Sequence, residues 1–312
     1  DEINKLQFSR EPKELYDPIT YILSIGGKRL RPIVTLMSCE LFGGDVKKAV
    51  MPALGMEMFH NFTLVHDDIM DQANVRRGQP TVHKKWDENR AILSGDAMLI
   101  LANKLMLNAD EDILKEVMEL YNDCGLLVCD GQQYDMNFET ASHVTIPEYI
   151  RMIELKTAAL LASCFRLGAV IAKTSKKNKH LIENFGYNLG ISFQIEDDNL
   201  DAFGDYDKFG KKIGGDILVN KKTFLLIKAL EIADDQTKKE LVYWLNGHGH
   251  EAEDKINGII QIYDRLGLKE MVRDESKKYY DKAISFLGQI DLEEEKKEQL
   301  YQLADYLINR EY

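Results

Sequence analysis

Proline stops at position 147. Only six occur in the 312 residues, and the rest of the chain has none. That absence leaves a long stretch rich in Leu, Ile, Lys and Glu, a composition that reads as helix. Alternating apolar and polar runs, the mark of half-buried strands, are almost missing as well. Cysteine is scarce: Cys39, Cys124, Cys129 and Cys164 match neither zinc-site spacing nor a dense disulfide framework. They are expected to be buried free thiols in a reducing compartment. No apolar run reaches the roughly 20 residues that span a bilayer. No charged-then-apolar segment of the signal-peptide kind opens the chain, so the cytoplasm is the expected location. Positive charge is in deficit: the formal net charge is −12, which argues against nucleic acid as a partner. Against that background any local cluster of Lys and Arg is informative.

What is present points to a packed all-α protein. Hydrophobic residues are 45% and charged residues 29% of the chain, a balance of folded domains and not of disorder. No low-complexity linker or short repeat interrupts it, so residues 1–312 read as one all-helical domain of roughly ten or more helices. Asp17-Pro18 has the form of an N-cap followed by proline at the first helical position. Gly26-Gly27 breaks that helix, Pro32 opens the next, and Gly43-Gly44 closes it. A further helix is expected through Met56 to about Asp71, with Gly78 and Pro80 marking the break after it. Thr145-Ile146-Pro147-Glu148 has the pattern of a capping box ahead of an apolar run ending near Ala172. The tail from Leu292 to Arg310 reads as an amphipathic last helix.

Two acidic motifs carry chemistry. In Val65-His66-Asp67-Asp68-Ile69-Met70-Asp71, positions i and i+4 share a helix face, so Asp67 and Asp71 point the same way. Paired carboxylates repel unless a cation stands between them. Such hard oxygen donors suit Mg²⁺, which keeps several waters and completes its shell with phosphate oxygens. Alone, this motif also fits a solvated acidic turn. But Phe193-Gln194-Ile195-Glu196-Asp197-Asp198-Asn199-Leu200-Asp201 repeats it, with Asp197 and Asp201 on one face. Basic groups bracket both motifs: Lys28, Arg29 and Arg31 beside the Gly-Gly corner, then Arg76-Arg77, Lys156, Lys211-Lys212 and Lys221-Lys222. Arg offers phosphate a planar fork and Lys a point charge. Lys156 lies in an otherwise apolar helix, where it needs an anionic partner.

In order along the chain, GGKRLRP, HDDIMD, RRGQP, GQQYD, KT, FQIEDDNLD, GKKIGGD and NKKT resemble the motifs of the trans-isoprenyl diphosphate synthases, or polyprenyl synthetases. The resemblance covers nearly the whole chain. It implies an all-α bundle around a deep central cavity, a homodimer, and three Mg²⁺ per active site. It implies head-to-tail (1′-4) condensation of isopentenyl diphosphate with an allylic diphosphate (dimethylallyl, geranyl or farnesyl). By the same resemblance Lys28, Arg31, His60 and Arg77 would hold isopentenyl diphosphate. Arg76, Lys156, Lys211 (in preference to Lys212) and Lys221 would contact the allylic diphosphate. Asp67, Asp71 and Asp197 would ligate Mg²⁺ with Asp201 in support, and Gln132, Asp135, Thr157 and Gln194 would line the reacting centre.

In this family, residues below the first acidic motif set product length. Phe62 lies five residues before Asp67, about 7.5 Å along a helix axis. Thr63, four before, is small, and Phe59 lies a turn further down. One aromatic at the fifth position and none at the fourth resembles the geranylgeranyl (C20) type ahead of the farnesyl (C15) type; the competing reading is that Phe62 only packs between helices. Two rival functions stand beside this one: a class I terpene cyclase and a non-catalytic subunit of a heteromeric synthase. The second acidic motif and the Lys28/Arg31 segment argue against the first. Retention of both acidic motifs argues against the second. His248 and His250 read as surface-loop residues.

Overall fold

The computed structural model describes residues 2–5, 10–204, 214–247 and 251–309. Lys211, Lys212, His248 and His250 therefore lie outside the described residues. Among the described residues the fold is all-α apart from one ribbon of two two-residue strands. The helices are α1 (Glu2–Lys5), α2 (Lys13–Ser24), α3 (Leu30–Leu41), α4 (Val46–Met70), α5 (Val82–Lys85), α6 (Glu88–Met106), α7 (Leu114–Thr140), α8 (Ile146–Ile153), α9 (Ala159–Ile171) and α10 (Lys176–Phe203). They continue as α11 (Gly215–Leu218), α12 (Phe224–Ile232), α13 (Asp235–Asn246), α14 (Ala252–Arg265), α15 (Leu268–Gly288) and α16 (Glu294–Ile308). A π-helical turn, Glu154–Ala158, joins α8 to α9. Two compact units are distinguishable: Asp1–Asn122 with Cys164–Lys179, and Asp123–Ser163 with His180–Tyr312.

In the first unit α4 packs along α6 and against α3. It buries Met56, Met58, Phe59 and Val65, which carries the first acidic motif on a rigid rod. Asp45 caps α4 by accepting from the Lys47 N–H at 3.0 Å, so the helix begins ten residues before Met56. Ser38 on α3 donates to the Phe165 carbonyl of α9 at 2.6 Å. In the second unit the core gathers Tyr149, Ile153 and Ala158 with Ile191 and Ile195 of α10 and Phe224 and Ile227 of α12. Among the described residues no helix is long and apolar enough to cross a membrane.

Three local expectations need correction. Pro18 does not open its helix: α2 starts at Lys13 after an extended Pro12 (φ −78, ψ 142) and runs through Pro18. Proline there removes one backbone bond. Burial of Pro18 itself with Ile19, Ile22 and Leu23 on one face offsets the loss. The apolar run after Thr145 is not one α-helix, since the π-turn divides it. Of the four free cysteines, Cys129 is exposed and only the other three are buried. The capping box is present as expected: Glu148 accepts from the Thr145 N–H at 2.8 Å while Thr145 Oγ1 accepts from the Glu148 N–H at 3.4 Å.

Candidate active site

In the first unit the basic groups are organised by buried carboxylates. Arg29 stands just before α3 in the left-handed region (φ 50), which costs an L-residue roughly 1–2 kcal/mol. Its guanidinium repays this with bonds to the Leu23 carbonyl and, at 2.6 Å, to Glu57 Oε1. Asn61 donates to the same Glu57 oxygen at 3.0 Å. Glu57 is 2% exposed and was not singled out in the sequence. Its signal was a carboxylate inside an apolar helix, three residues before His60. Glu57→Gln keeps the shape and removes the charge, so we expect a loss of about 2 kcal/mol in thermal unfolding.

Val75–Arg76 pairs antiparallel with Gln79–Pro80. The two loop residues, Arg77 and Gly78, both have positive φ (52 and 74), the pattern of a type I′ hairpin. The Arg77 guanidinium bonds the Gly26 carbonyl. It lies so close to Gly27 that an added Cβ there would meet Arg77 Cζ at 2.7 Å. The hairpin thus docks on the Gly-Gly corner beside Lys28. Arg76 grips Asp68 with two parallel bonds, Nε to Oδ2 at 2.8 Å and Nη2 to Oδ1 at 2.7 Å. Asp68, 1% exposed, is therefore turned to Arg76, and two of the five Arg76 donors are used. Asp67 is half-buried and Asp71, which ends α4, is exposed. His60 is held neutral: burial lowers its pKa well below the usual range, and Arg31, Arg77, Arg76 and Arg29 lower it further. Below the motif runs an aromatic column. Ring centroids are 4.8 Å apart for His66–Phe62, 5.7 Å for Phe62–Phe59 and 5.5 Å for Phe59–Tyr121. Thr63 Oγ1 donates to the His60 carbonyl at 2.8 Å.

In the second unit the π-turn is the organising element. Such turns add a residue to the helical ladder and commonly occur at functional sites. Here it presents Lys156 and Thr157 together. Lys156 Nζ donates to Asp135 Oδ2 at 2.5 Å, which supplies the anionic partner expected for a lysine in an apolar helix. Thr157 Oγ1 donates to Gln194 Oε1 at 3.1 Å. Two glycines let neighbouring helices reach this turn. A Cβ on Gly131 of α7 would stand 2.2 Å from the Lys156 backbone nitrogen, and one on Gly190 of α10 would stand 2.7 Å from Ala158 Cα. Gln132 follows Gly131, half-buried on α7.

The second acidic motif lies in the last turns of α10. Asp197 is half-buried. Asp198, 5% exposed, accepts from the Tyr149 hydroxyl at 2.7 Å and from Gln194 Nε2 at 2.9 Å. Asp201 Oδ2 accepts from the Asp216 N–H at 2.9 Å. Burial and the Asp216 charge push the Asp198 carboxyl up to about 7. Burial, Asp216 and Asp197 push Asp201 up to about 6. Lys221 Nζ stands 3.7 Å from Asp216 Oδ1 and works against these shifts. Tyr149, Asp198 and Asp216 were not singled out in the sequence. Asp216 was visible only as the end of the GKKIGGD motif.

Among the described residues no three His, Cys, Asp or Glu groups form a ready metal cage. The donor sets are carboxylate pairs. Burial first, and then neighbouring carboxylates, raise the pKa values of Asp198 and Asp201; a cation would favour their ionised forms, and incomplete oxygen sets suit Mg²⁺, which takes water and substrate phosphate as its other ligands. The residues present fit that ion.

Residues 12–263 match the family model described as polyprenyl synthetase. The chain is 40% identical over 303 residues to a geranylgeranyl diphosphate synthase of Saccharolobus solfataricus, covering 96% of this chain and 91% of the relative. It is 35% identical over 302 residues to a short chain isoprenyl diphosphate synthase of Methanothermobacter thermautotrophicus, covering 96% and 92%. A crystal structure of a geranylgeranyl pyrophosphate synthase superposes with a TM-score of 0.94 at 43% identity, covering 99% of this chain and 95% of that one. With its two acidic motifs, the basic groups that accompany them and this likeness along its length, the chain belongs to the polyprenyl synthetase family of prenyltransferases.

Proposed function

We propose that this chain condenses isopentenyl diphosphate with an allylic diphosphate, head to tail and with Mg²⁺, to make geranylgeranyl diphosphate. The observation that carries the reading is duplication: each compact unit has its own carboxylate pair with its own basic groups. A reaction of two diphosphates needs several cations to hold them, and the two sets together supply those. The name of the 40%-identical relative supports the C20 product.

In this reading Lys28, Arg31 and Arg77 take isopentenyl diphosphate, with neutral His60 as a hydrogen-bonding neighbour that adds no charge. Arg76, Lys156 and Lys221 take the allylic diphosphate, as would Lys211, which lies outside the described residues. Asp67, Asp71 and Asp197, with Asp201, would hold the metal. Mg²⁺ held by these carboxylates would supply neutralisation of charge on the departing diphosphate. Lys156 and Arg76 share that load as hydrogen-bond donors. The oxygens of Thr157 and Gln194 turn the negative ends of their dipoles to the allylic cation, and Gln132 and Asp135 line the same region. The cation adds to the double bond of isopentenyl diphosphate, forming the new C–C bond. The released diphosphate accepts the proton that is then lost. Apolar walls keep water from quenching the cation.

Phe62 would stop the growing chain, with Phe59 beneath it and Thr63 leaving the neighbouring position open. The column from His66 to Tyr121 supports this by holding the Phe62 ring in place. A second copy of the chain is the proposed partner. Leu93 and Ile100 of α6 and Leu107 at its C-terminal cap, spaced by seven, are 58%, 63% and 55% exposed, an apolar stripe suited to a matching helix.

The test is to incubate the protein with Mg²⁺, isopentenyl diphosphate and, separately, C5, C10 and C15 allylic diphosphates, then size the dephosphorylated products. Linear C20 alcohol is expected. Phe62→Ala should shift the product to C25 or longer without stopping condensation. A product that stays C20 in Phe62→Ala would reduce Phe62 to core packing. Absence of condensation with every starter, or a cyclic hydrocarbon from a single diphosphate, would overturn the function.

A further inference from the structure

We infer that Tyr149 is a positioning residue for the transfer step: its buried hydroxyl locks Asp198, and Asp198 decides which end of the Gln194 amide faces Thr157. The inference rests on the prenyl-transfer reading and deepens it.

Tyr149 is 1% exposed and sits in the core of the second unit, one helical turn before the π-turn. A tyrosine buried that deeply needs a partner for its hydroxyl, and the partner is Asp198 Oδ2 at 2.7 Å. The other oxygen, Oδ1, takes the Gln194 side-chain N–H at 2.9 Å. Two donors converge on Asp198, the Tyr149 O–H and the Gln194 N–H, and both favour its ionised form; that form only accepts hydrogen bonds, so the end of the amide turned to it is the NH₂ group. The amide oxygen then faces the opposite way and accepts from Thr157 Oγ1 at 3.1 Å.

The direction of this relay has a chemical consequence. Thr157 has one hydroxyl proton and gives it to Gln194, so its lone pairs remain for the cavity it lines with Lys156, Gln194 and Asp198. A wall of oxygen lone pairs favours developing positive charge on the allylic carbon. Were the amide reversed, an N–H would meet Thr157, the hydroxyl would turn its proton outward, and the wall would oppose that charge. An amide has nearly the same shape either way round, so packing alone does not choose. The choice rests on Asp198, and Asp198 is held from the other side by Tyr149.

Tyr149→Phe removes only the hydroxyl. Misdirected dipoles at a reacting centre are costly, so kcat for condensation should fall about tenfold. Michaelis constants for both diphosphates should stay within about twofold, because Tyr149 carries no charge and its hydroxyl is already given to Asp198. The decisive readout is a double-mutant cycle. In a Gln194→Leu background there is no amide to orient, and adding Tyr149→Phe should cost less than about twofold more. The inference is overturned if Tyr149→Phe keeps kcat within twofold of wild type. It is equally overturned if its loss repeats in full on Gln194→Leu. If Tyr149→Phe fails to fold, Asp198→Asn takes its place and must show the same loss and the same non-additivity; additive losses would again refute the relay. An unsubstituted chain that condenses no starter refutes the prenyl-transfer reading itself, a result distinct from either.

Discussion

Gly131→Ala is expected to lower the condensation rate about a hundredfold and the melting temperature by several degrees. The added methyl would stand 2.2 Å from the Lys156 nitrogen, 2.6 Å from Lys156 Cα and 2.7 Å from the Leu155 carbonyl carbon. All three are backbone atoms, so no rotamer change relieves the contact, and helix α7 and the π-turn must separate. Overpacking of this kind typically costs about 1–3 kcal/mol. The larger effect is on geometry. Asp135 lies four residues after Gly131, on the same face of α7, and holds Lys156 at 2.5 Å. Separation therefore pulls Lys156 from its partner and Thr157 from Gln194 in one movement. Retention of activity within threefold would show that the close approach of Gly131 does not position Lys156.

Asp197→Asn is expected to change activity and stability in opposite directions. Losing one carboxylate from the proposed Mg²⁺ set should cut kcat about a thousandfold and raise the Mg²⁺ concentration needed for half activity. Yet Asp197 is one of the charges that push the Asp201 carboxyl up to about 6. Its removal relieves repulsion in the metal-free protein, which should melt slightly higher than wild type near neutral pH, by about 0.5 kcal/mol. The sign follows from linkage. A carboxyl whose folded pKa is raised is destabilising above that pKa, where folding opposes its ionisation. The gain should therefore be present near pH 7 and fade as pH falls through about 6 toward 4, where Asp201 becomes protonated. With Mg²⁺ and a diphosphate bound the order should reverse, wild type then being the more stable. Equal melting curves with and without Mg²⁺ and diphosphate would remove Asp197 from the metal set.

Local signals were legible in the sequence and non-local ones were not. Thr145 and Glu148 lie three residues apart, and their reciprocal bonds follow from spacing alone. The i, i+4 geometry of Asp67 with Asp71 and of Asp197 with Asp201 was legible for the same reason. Pro18 departs from the helix-opening position its local sequence favours because burial of one face of α2 outweighs that preference. The π-turn is invisible in Glu154–Ala158 themselves; two glycines that lie 23 or more residues away, Gly131 and Gly190, let helices press on it. Glu57 and Tyr149 look like ordinary residues of apolar helices until Arg29 and Asp198 are placed beside them. Buried polar residues whose partners lie far along the chain are the class a single sequence hides best. Their contacts span 28 and 49 residues, with no periodicity to announce them.

The central claim is that Lys28, Arg31 and Arg77 serve one diphosphate and Arg76, Lys156 and Lys221 the other. The most direct test is steady-state kinetics of Arg31→Ala and Lys156→Ala against both substrates. The account predicts that Arg31→Ala raises the Michaelis constant for isopentenyl diphosphate about tenfold or more while that for the allylic diphosphate moves less than threefold. It predicts the opposite selectivity for Lys156→Ala. If both substitutions weaken the same substrate, or each weakens both equally, the assignment of one diphosphate to each set is wrong.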